Sequence, residues 1–135
     1  MKKVIIVDDE IYFAANVAKA LQQMSGDLQV MAVKNNEDAL KELENSHVDI
    51  VVADIKLPAM SGVKLAETIK TRWPDVAVIM MTAAGTEEIV KLAFNTGALF
   101  YIEKPFRIEN LGNMIAMAGL KKIKKTVLKQ PQPAL

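Results

Sequence analysis

Short apolar runs rich in β-branched residues alternate with longer amphipathic stretches along this chain. The runs are Lys3–Val7, Leu28–Val33, Val48–Ala53, Ala77–Met81 and Leu99–Ile102. Val48–Ala53 and Ala77–Met81 are apolar nearly throughout, which is the pattern of strands covered on both faces. Between and after the runs, apolar residues recur at helical spacing and predict helices over Ile11–Met24, Glu37–Glu44, Val63–Thr71, Glu87–Asn95 and Ile108–Lys125. Five strand–helix repeats with short connections predict an α/β domain whose parallel sheet is doubly wound, right-handed, with helices on both faces.

Local signals support these segments. Asn36 is placed to cap the second helix, with Glu37 and Asp38 in its first turn, and Thr86 to cap the fourth, followed by Glu87 and Glu88. Glu10 is expected to cap the first. Gly97 reads as the stop of the fourth helix, and Trp73 before Pro74 as the end of the third. In the fifth helix Gly112 and Gly119 each cost about 1 kcal/mol relative to Ala. Ile108, Leu111, Ile115 and Ala118 nevertheless form a core-facing stripe, with Met114 and Met117 on its flanks. That segment is either a helix held by packing or an adaptable contact surface.

Composition narrows the class. The chain has 135 residues, 51% hydrophobic and 24% charged, which suits one globular domain able to bury a core without staples. It contains 0 Cys, so thiol catalysis, zinc–thiolate sites and disulfide scaffolds are excluded. The short apolar run near the start does not make a signal peptide, and no stretch reaches the roughly 18 apolar residues of a membrane span. A cytoplasmic protein without membrane contact is expected. The net charge of +1 conceals an asymmetry. Residues 121–135 hold five lysines and no acid, leaving 12 basic against 16 acidic residues, a net of −4, in the preceding body. The tail lacks interleaved aromatics and reads as a solvated helix end entering a linker, so direct nucleic-acid binding is not expected. The expected division is a domain over residues 1–125 and a basic, Pro-containing tail or linker over 126–135, with an origin as the excised piece of a longer protein favoured.

In an open parallel sheet, ligands sit beyond the carboxyl ends of the strands, where strand order reverses. The first strand ends in Asp8-Asp9-Glu10, the third in Asp54, the fourth in Thr82 and the fifth in Glu103-Lys104-Pro105. Three carboxylates brought together require a cation or a proton. An all-oxygen set suits Mg²⁺, with Mn²⁺ as an alternative, and a facing lysine suits a phosphoryl anion. A flavin phosphate in the first loop would be repelled by the same acids. His47 is the only histidine and reads as a solvated turn residue.

The segments VIIVDDE, VVADIKLPAMSG, VIMMTA and YIEKPF, in this order and each at a predicted strand end, resemble the receiver domain of two-component response regulators over about residues 2–125. The resemblance implies the flavodoxin-like receiver fold, with strand order 2-1-3-4-5 and five helices. It also implies that Asp54 accepts a phosphoryl group from a phosphohistidine. Asp8, Asp9, Asp54 and the Lys56 carbonyl would bind Mg²⁺. Lys104 and Thr82 would contact the phosphoryl group, together with Ala83 and the variable Lys56. Ala84 lacks a polar group to orient hydrolytic water, which favours a long-lived acyl phosphate.

Lys104-Pro105 would be cis, Pro58 and Gly62 would shape the loop after Asp54, and Tyr101 would switch with Thr82. Expected partners are a sensor histidine kinase or phosphotransfer protein, docking at Phe13, Ala14, Pro105 and Phe106. An output domain or downstream protein would meet the fourth helix, fifth strand and fifth helix, and a phosphorylation-dependent homodimer is a further expectation. Two rival readings compete with this one. A receiver-shaped interaction module that takes no phosphate is disfavoured by the complete set Asp8, Asp9, Asp54, Thr82 and Lys104. A dedicated Mg²⁺ phosphohydrolase lacks its Asp-x-Asp run, so no turnover of an outside substrate is expected.

Overall fold

A computed structural model describes residues 1–55 and 61–124, with side chains described as far as residue 120. Five strands, β1 (Lys2–Val7), β2 (Leu28–Val33), β3 (Ile50–Asp54), β4 (Ala77–Thr82) and β5 (Phe100–Glu103), pair in parallel in the order β2-β1-β3-β4-β5. The helices are α1 (Ile11–Met24), α2 (Asn36–Asn45), α3 (Ser61–Arg72), α4 (Glu87–Asn95) and α5 (Ile108–Lys124). The fold class, strand order and all ten elements agree with the expectation, with boundaries shifted by at most a few residues. Among the described residues no helix is long and apolar enough to cross a membrane.

Side-chain alternation along the strands builds two cores. Ile5, Val7, Val51, Ala53, Val78 and Met80 face one way and pack against α2, α3 and α4 through Leu43, Leu65, Ile69, Ile89 and Ala93. Val4, Ile6, Ile50, Val52, Ile79 and Met81 face the other way, against Val17 and Leu21 of α1 and Leu111, Ile115 and Ala118 of α5. Burying a branched side chain of this size is worth about 1.5–3 kcal/mol. The central strands β1, β3 and β4 therefore hold the molecule together, and their carboxyl ends make a firm platform.

Helix α5 is held by packing. Gly112 faces α1, where a Cβ would meet only the movable end of the Met24 side chain, 3.1 Å from its Cε. The buried stripe of Leu111, Ile115 and Ala118 offsets the glycine's helical cost, while Met117 stays exposed at 49%. Thr86 caps α4, its hydroxyl accepting from the Ile89 amide at 3.2 Å, and Gly97 takes φ +96° after that helix.

Three local expectations are corrected. The cap of α2 is Asn35, whose Oδ1 accepts from the Asp38 amide at 2.8 Å; Asn36 lies inside the helix and donates to the Ser61 carbonyl. Glu10 occupies the cap position of α1 but its side chain makes no cap bond. Instead Asp8 Oδ1 takes the Glu10 amide at 2.9 Å, so the shorter acid two residues earlier orders the turn. His47 is exposed as expected but not merely solvated, because its Nε2 lies 3.1 Å from Asp49 Oδ1.

Candidate phosphoryl-acceptor site

The strand-order reversal lies between β1 and β3, and there the carboxyl ends open into a cleft of about 450 Å³. Asp8, Asp9 and Asp54 line it together with Lys34, Asn35, Ser61 and Gly62. Each acid is delivered by strand geometry. Asp8 extends the β1 ladder, its amide donating to the Val33 carbonyl, and is 2% exposed. Asp54 ends β3 opposite Met81 of β4, and the next amide, Ile55, donates to the Met81 carbonyl at 2.8 Å.

Gly62, at the start of α3, lies against the Asp54 carbonyl so closely that a Cβ would overlap it. This is a close backbone approach that only glycine permits, and it matches the structural role expected for Gly62. The bond from Asn36 to Ser61 ties the β2–α2 turn to the same helix start.

Lys104 completes the cluster from β5. Its amide donates to the Thr82 carbonyl at 2.7 Å, and the Lys104–Pro105 bond is cis as expected. The Nζ donates to Asp8 Oδ2 at 2.7 Å and to Asp54 Oδ2 at 3.1 Å. Burial weakens the ammonium's hold on its proton, but the bonds and charges of Asp8 and Asp54 outweigh that and raise its pKa above the usual lysine value.

Two expected site carboxylates, Asp8 and Asp54, thus meet around the Lys104 ammonium, and Asp9 faces the same cleft. Among the described residues no three His, Cys, Asp or Glu side chains are drawn close enough to form a ready metal cage. The ammonium lies between two of the expected metal ligands. Convergence of Asp8 and Asp54 on a single cation, with Asp9 beside them, is nevertheless the hard oxygen donor set that fits Mg²⁺. Lys56 and Pro58 lie outside the described residues.

This constellation has a match among known proteins. The family model for the response regulator receiver domain matches residues 4–116. The chain belongs to the response-regulator receiver family. FleR of Pseudomonas aeruginosa, a response regulator protein, is 31% identical over 118 residues, which are 87% of this chain and 24% of FleR. The heme response regulator HssR of Staphylococcus haemolyticus is 33% identical over 111 residues, 82% of this chain and 48% of HssR. The chain therefore spans about a quarter to a half of these relatives. Among solved structures, the response regulator TrrA of Thermotoga maritima in complex with Mg²⁺–BeF aligns with a TM-score of 0.74 at 26% identity, covering 87% of this chain and 99% of that one.

Other features of the receiver follow from the same strand ends. Thr82 is buried, and its hydroxyl both accepts from the Ala84 amide and donates to the Ala84 carbonyl, each at 3.0 Å. It is turned into its own loop, while Ala83 beside it is exposed. Tyr101, half-buried on β5, meets Phe94 of α4 edge-to-face at 5.9 Å between ring centroids. Of the expected docking residues, Pro105 is exposed and Phe13 and Phe106 are half-buried.

Ala14 corrects the expectation. It is 0% exposed, packed into the core beneath α1, and presents no surface to a partner. The outward aromatic of α1 is Tyr12, 85% exposed. Sequence reasoning also missed Glu103, whose Oε2 accepts from the Gly85 amide at 3.1 Å and pins the β4–α4 loop to the end of β5.

Proposed function

We propose that this receiver accepts a phosphoryl group from a histidine kinase or phosphotransfer protein onto Asp54, and so switches the α4–β5–α5 face toward an output domain, a downstream protein or a second copy of itself. The observation that carries the reading is the Lys104 ammonium held between Asp8 and Asp54 at the strand-order reversal. It is a site already arranged to receive anionic oxygen beside a carboxylate.

Asp8, Asp9, Asp54 and the Lys56 carbonyl would hold Mg²⁺, or Mn²⁺ in its place, and the bound ion supplies the charge neutralisation that lets a phosphoryl anion approach a carboxylate. An Asp54 carboxylate oxygen attacks phosphorus in line. The O–P bond forms as the P–N bond to the donor imidazole breaks, and the electron pair leaves with the imidazole. Lys104 then turns its N–H donors from Asp54 to the phosphoryl oxygens, and the Ala83 amide and the Thr82 hydroxyl add further donors.

For Thr82 this requires giving up Ala84. The movement opens space beside Tyr101, whose shift against Phe94 carries the change to α4. Phosphorylation thereby biases a two-state element and does not build a new fold. Kinase docking is assigned to Phe13, Pro105 and Phe106, between α1 and the segment after β5. The protein is assigned to the cytoplasm, where such donors are made, with no turnover of an external substrate. Amide spectra recorded with Mg²⁺ and BeF₃⁻ test the reading. Shifts at Thr82, Ala83, Tyr101 and Lys104 that vanish in Asp54→Ala support it; an unchanged wild-type spectrum overturns it.

A further inference from the structure

Beneath the ammonium of Lys104 lies an aromatic face. The Nζ is 4.6 Å from the centroid of the Phe13 ring, within reach of a cation–π contact. Phe13 is the third residue of α1, half-buried, and its ring meets Phe106 nearly perpendicularly (77°) at 5.9 Å between centroids. Lys104 and Phe106 belong to one short segment after β5, so a single ring on α1 contacts two side chains of that segment. Tyr12 next to it points to solvent, so α1 carries its outward aromatic elsewhere.

The Lys104 side chain is only 15% exposed and two of its three N–H donors are engaged by Asp8 and Asp54. An aliphatic residue at position 13 would fill the same space but would offer the ammonium no negative face in exchange for the water it has lost.

We infer that Phe13 is a positioning residue for phosphoryl transfer, its ring seating the Lys104 ammonium over the Asp8–Asp54 pair. The inference rests on the reading of Lys104 as the cation that receives the phosphoryl oxygens. It concerns the chemistry itself, so it extends to small-molecule phosphodonors that use no kinase docking surface. With the ring removed, Lys104 samples more orientations, and fewer encounters find its donors in place.

The test pairs a spectroscopic readout with a rate. In metal-free wild-type protein, the ring face shifts the Hε resonances of Lys104, assigned by their loss in Lys104→Arg, upfield of the other lysines. Phe13→Leu is expected to abolish that shift and to slow phosphorylation by acetyl phosphate at saturating Mg²⁺ by about three- to tenfold. Phe13→Tyr, which keeps the face, is expected to restore both.

Replacing Phe13 by 3,4,5-trifluorophenylalanine keeps the shape but removes the negative face, so the rate should fall as in Phe13→Leu even if the leucine variant folds poorly. Lys104 resonances unmoved by Phe13→Leu, or a rate indifferent to fluorination, overturn the inference. A wild-type protein that takes no phosphoryl group at all contradicts the proposed function instead, and the Lys104 resonances then decide the seat by themselves.

Discussion

Lys104 Nζ lies closer to Asp8 than to Asp54, 2.7 Å against 3.1 Å, across a separation of 96 positions in the chain. Asp8 and Asp54 were both expected to serve the metal and Lys104 the phosphoryl group; both carboxylates also hold the lysine. A cation that binds at Asp8 therefore meets the repulsion of an ammonium already beside that carboxylate. One unit charge at 4 Å is worth about 1 kcal/mol even in water, on the order of fivefold in affinity. Lys104→Met is accordingly expected to bind Mg²⁺ about five- to tenfold more tightly by titration calorimetry. Unchanged or weaker binding would show that Lys104 and the metal do not compete.

Glu42 makes a separate prediction far from the site. Its carboxyl is held below the usual value of 4.5, chiefly by the hydrogen bond from Lys3 Nζ. A carboxyl with a depressed folded pKa adds stability that is present above its unfolded value and lost as pH falls through the folded one. The melting temperature of the wild type should therefore exceed that of Glu42→Gln at pH 6, and the gap should close as the pH drops below 4.5. A gap that widens on acidification contradicts the pairing.

Thr82 is the hinge of the proposed switch. Thr82→Val keeps the shape but removes the hydroxyl bonded to the Ala84 amide, and should lower unfolding free energy by about 0.5–1.5 kcal/mol in urea titrations. Thr82→Ser should retain most of it. Equal losses in both variants would mean that the methyl group, and not the hydroxyl, matters.

Gly62 and Gly26 form a contrast. A Cβ at Gly62 overlaps the Asp54 carbonyl, whereas a Cβ at Gly26 meets nothing within 4 Å. Gly62→Ala should cost about 1–3 kcal/mol and displace the acceptor strand end. Gly26→Ala should be within about 0.5 kcal/mol of wild type. Comparable chemical-denaturation midpoints for the two would contradict the close approach.

Periodicity located every strand and helix because the sheet is buried on both faces and leaves little ambiguity in the apolar runs. It located the acids and Lys104 because strand ends are where the apolar runs stop. Local competition was harder to read. Asn35 and Asn36 carry the same side chain, and only the backbone decides which one caps α2. Ala14 looked like a surface residue beside Phe13, but the helical turn directs it into the core. The Lys104–Phe13 seat and the Glu103–Gly85 bond join segments distant in sequence, and no local pattern announces such pairs.

Everything proposed for the switch depends on Asp54 accepting the phosphoryl group. Incubating the protein with phosphoramidate and millimolar Mg²⁺ and measuring intact mass tests it most directly. The expected result is a gain of one phosphoryl group that requires Mg²⁺ and is absent from Asp54→Ala. No gain in the wild type, or an equal gain in Asp54→Ala, would contradict it.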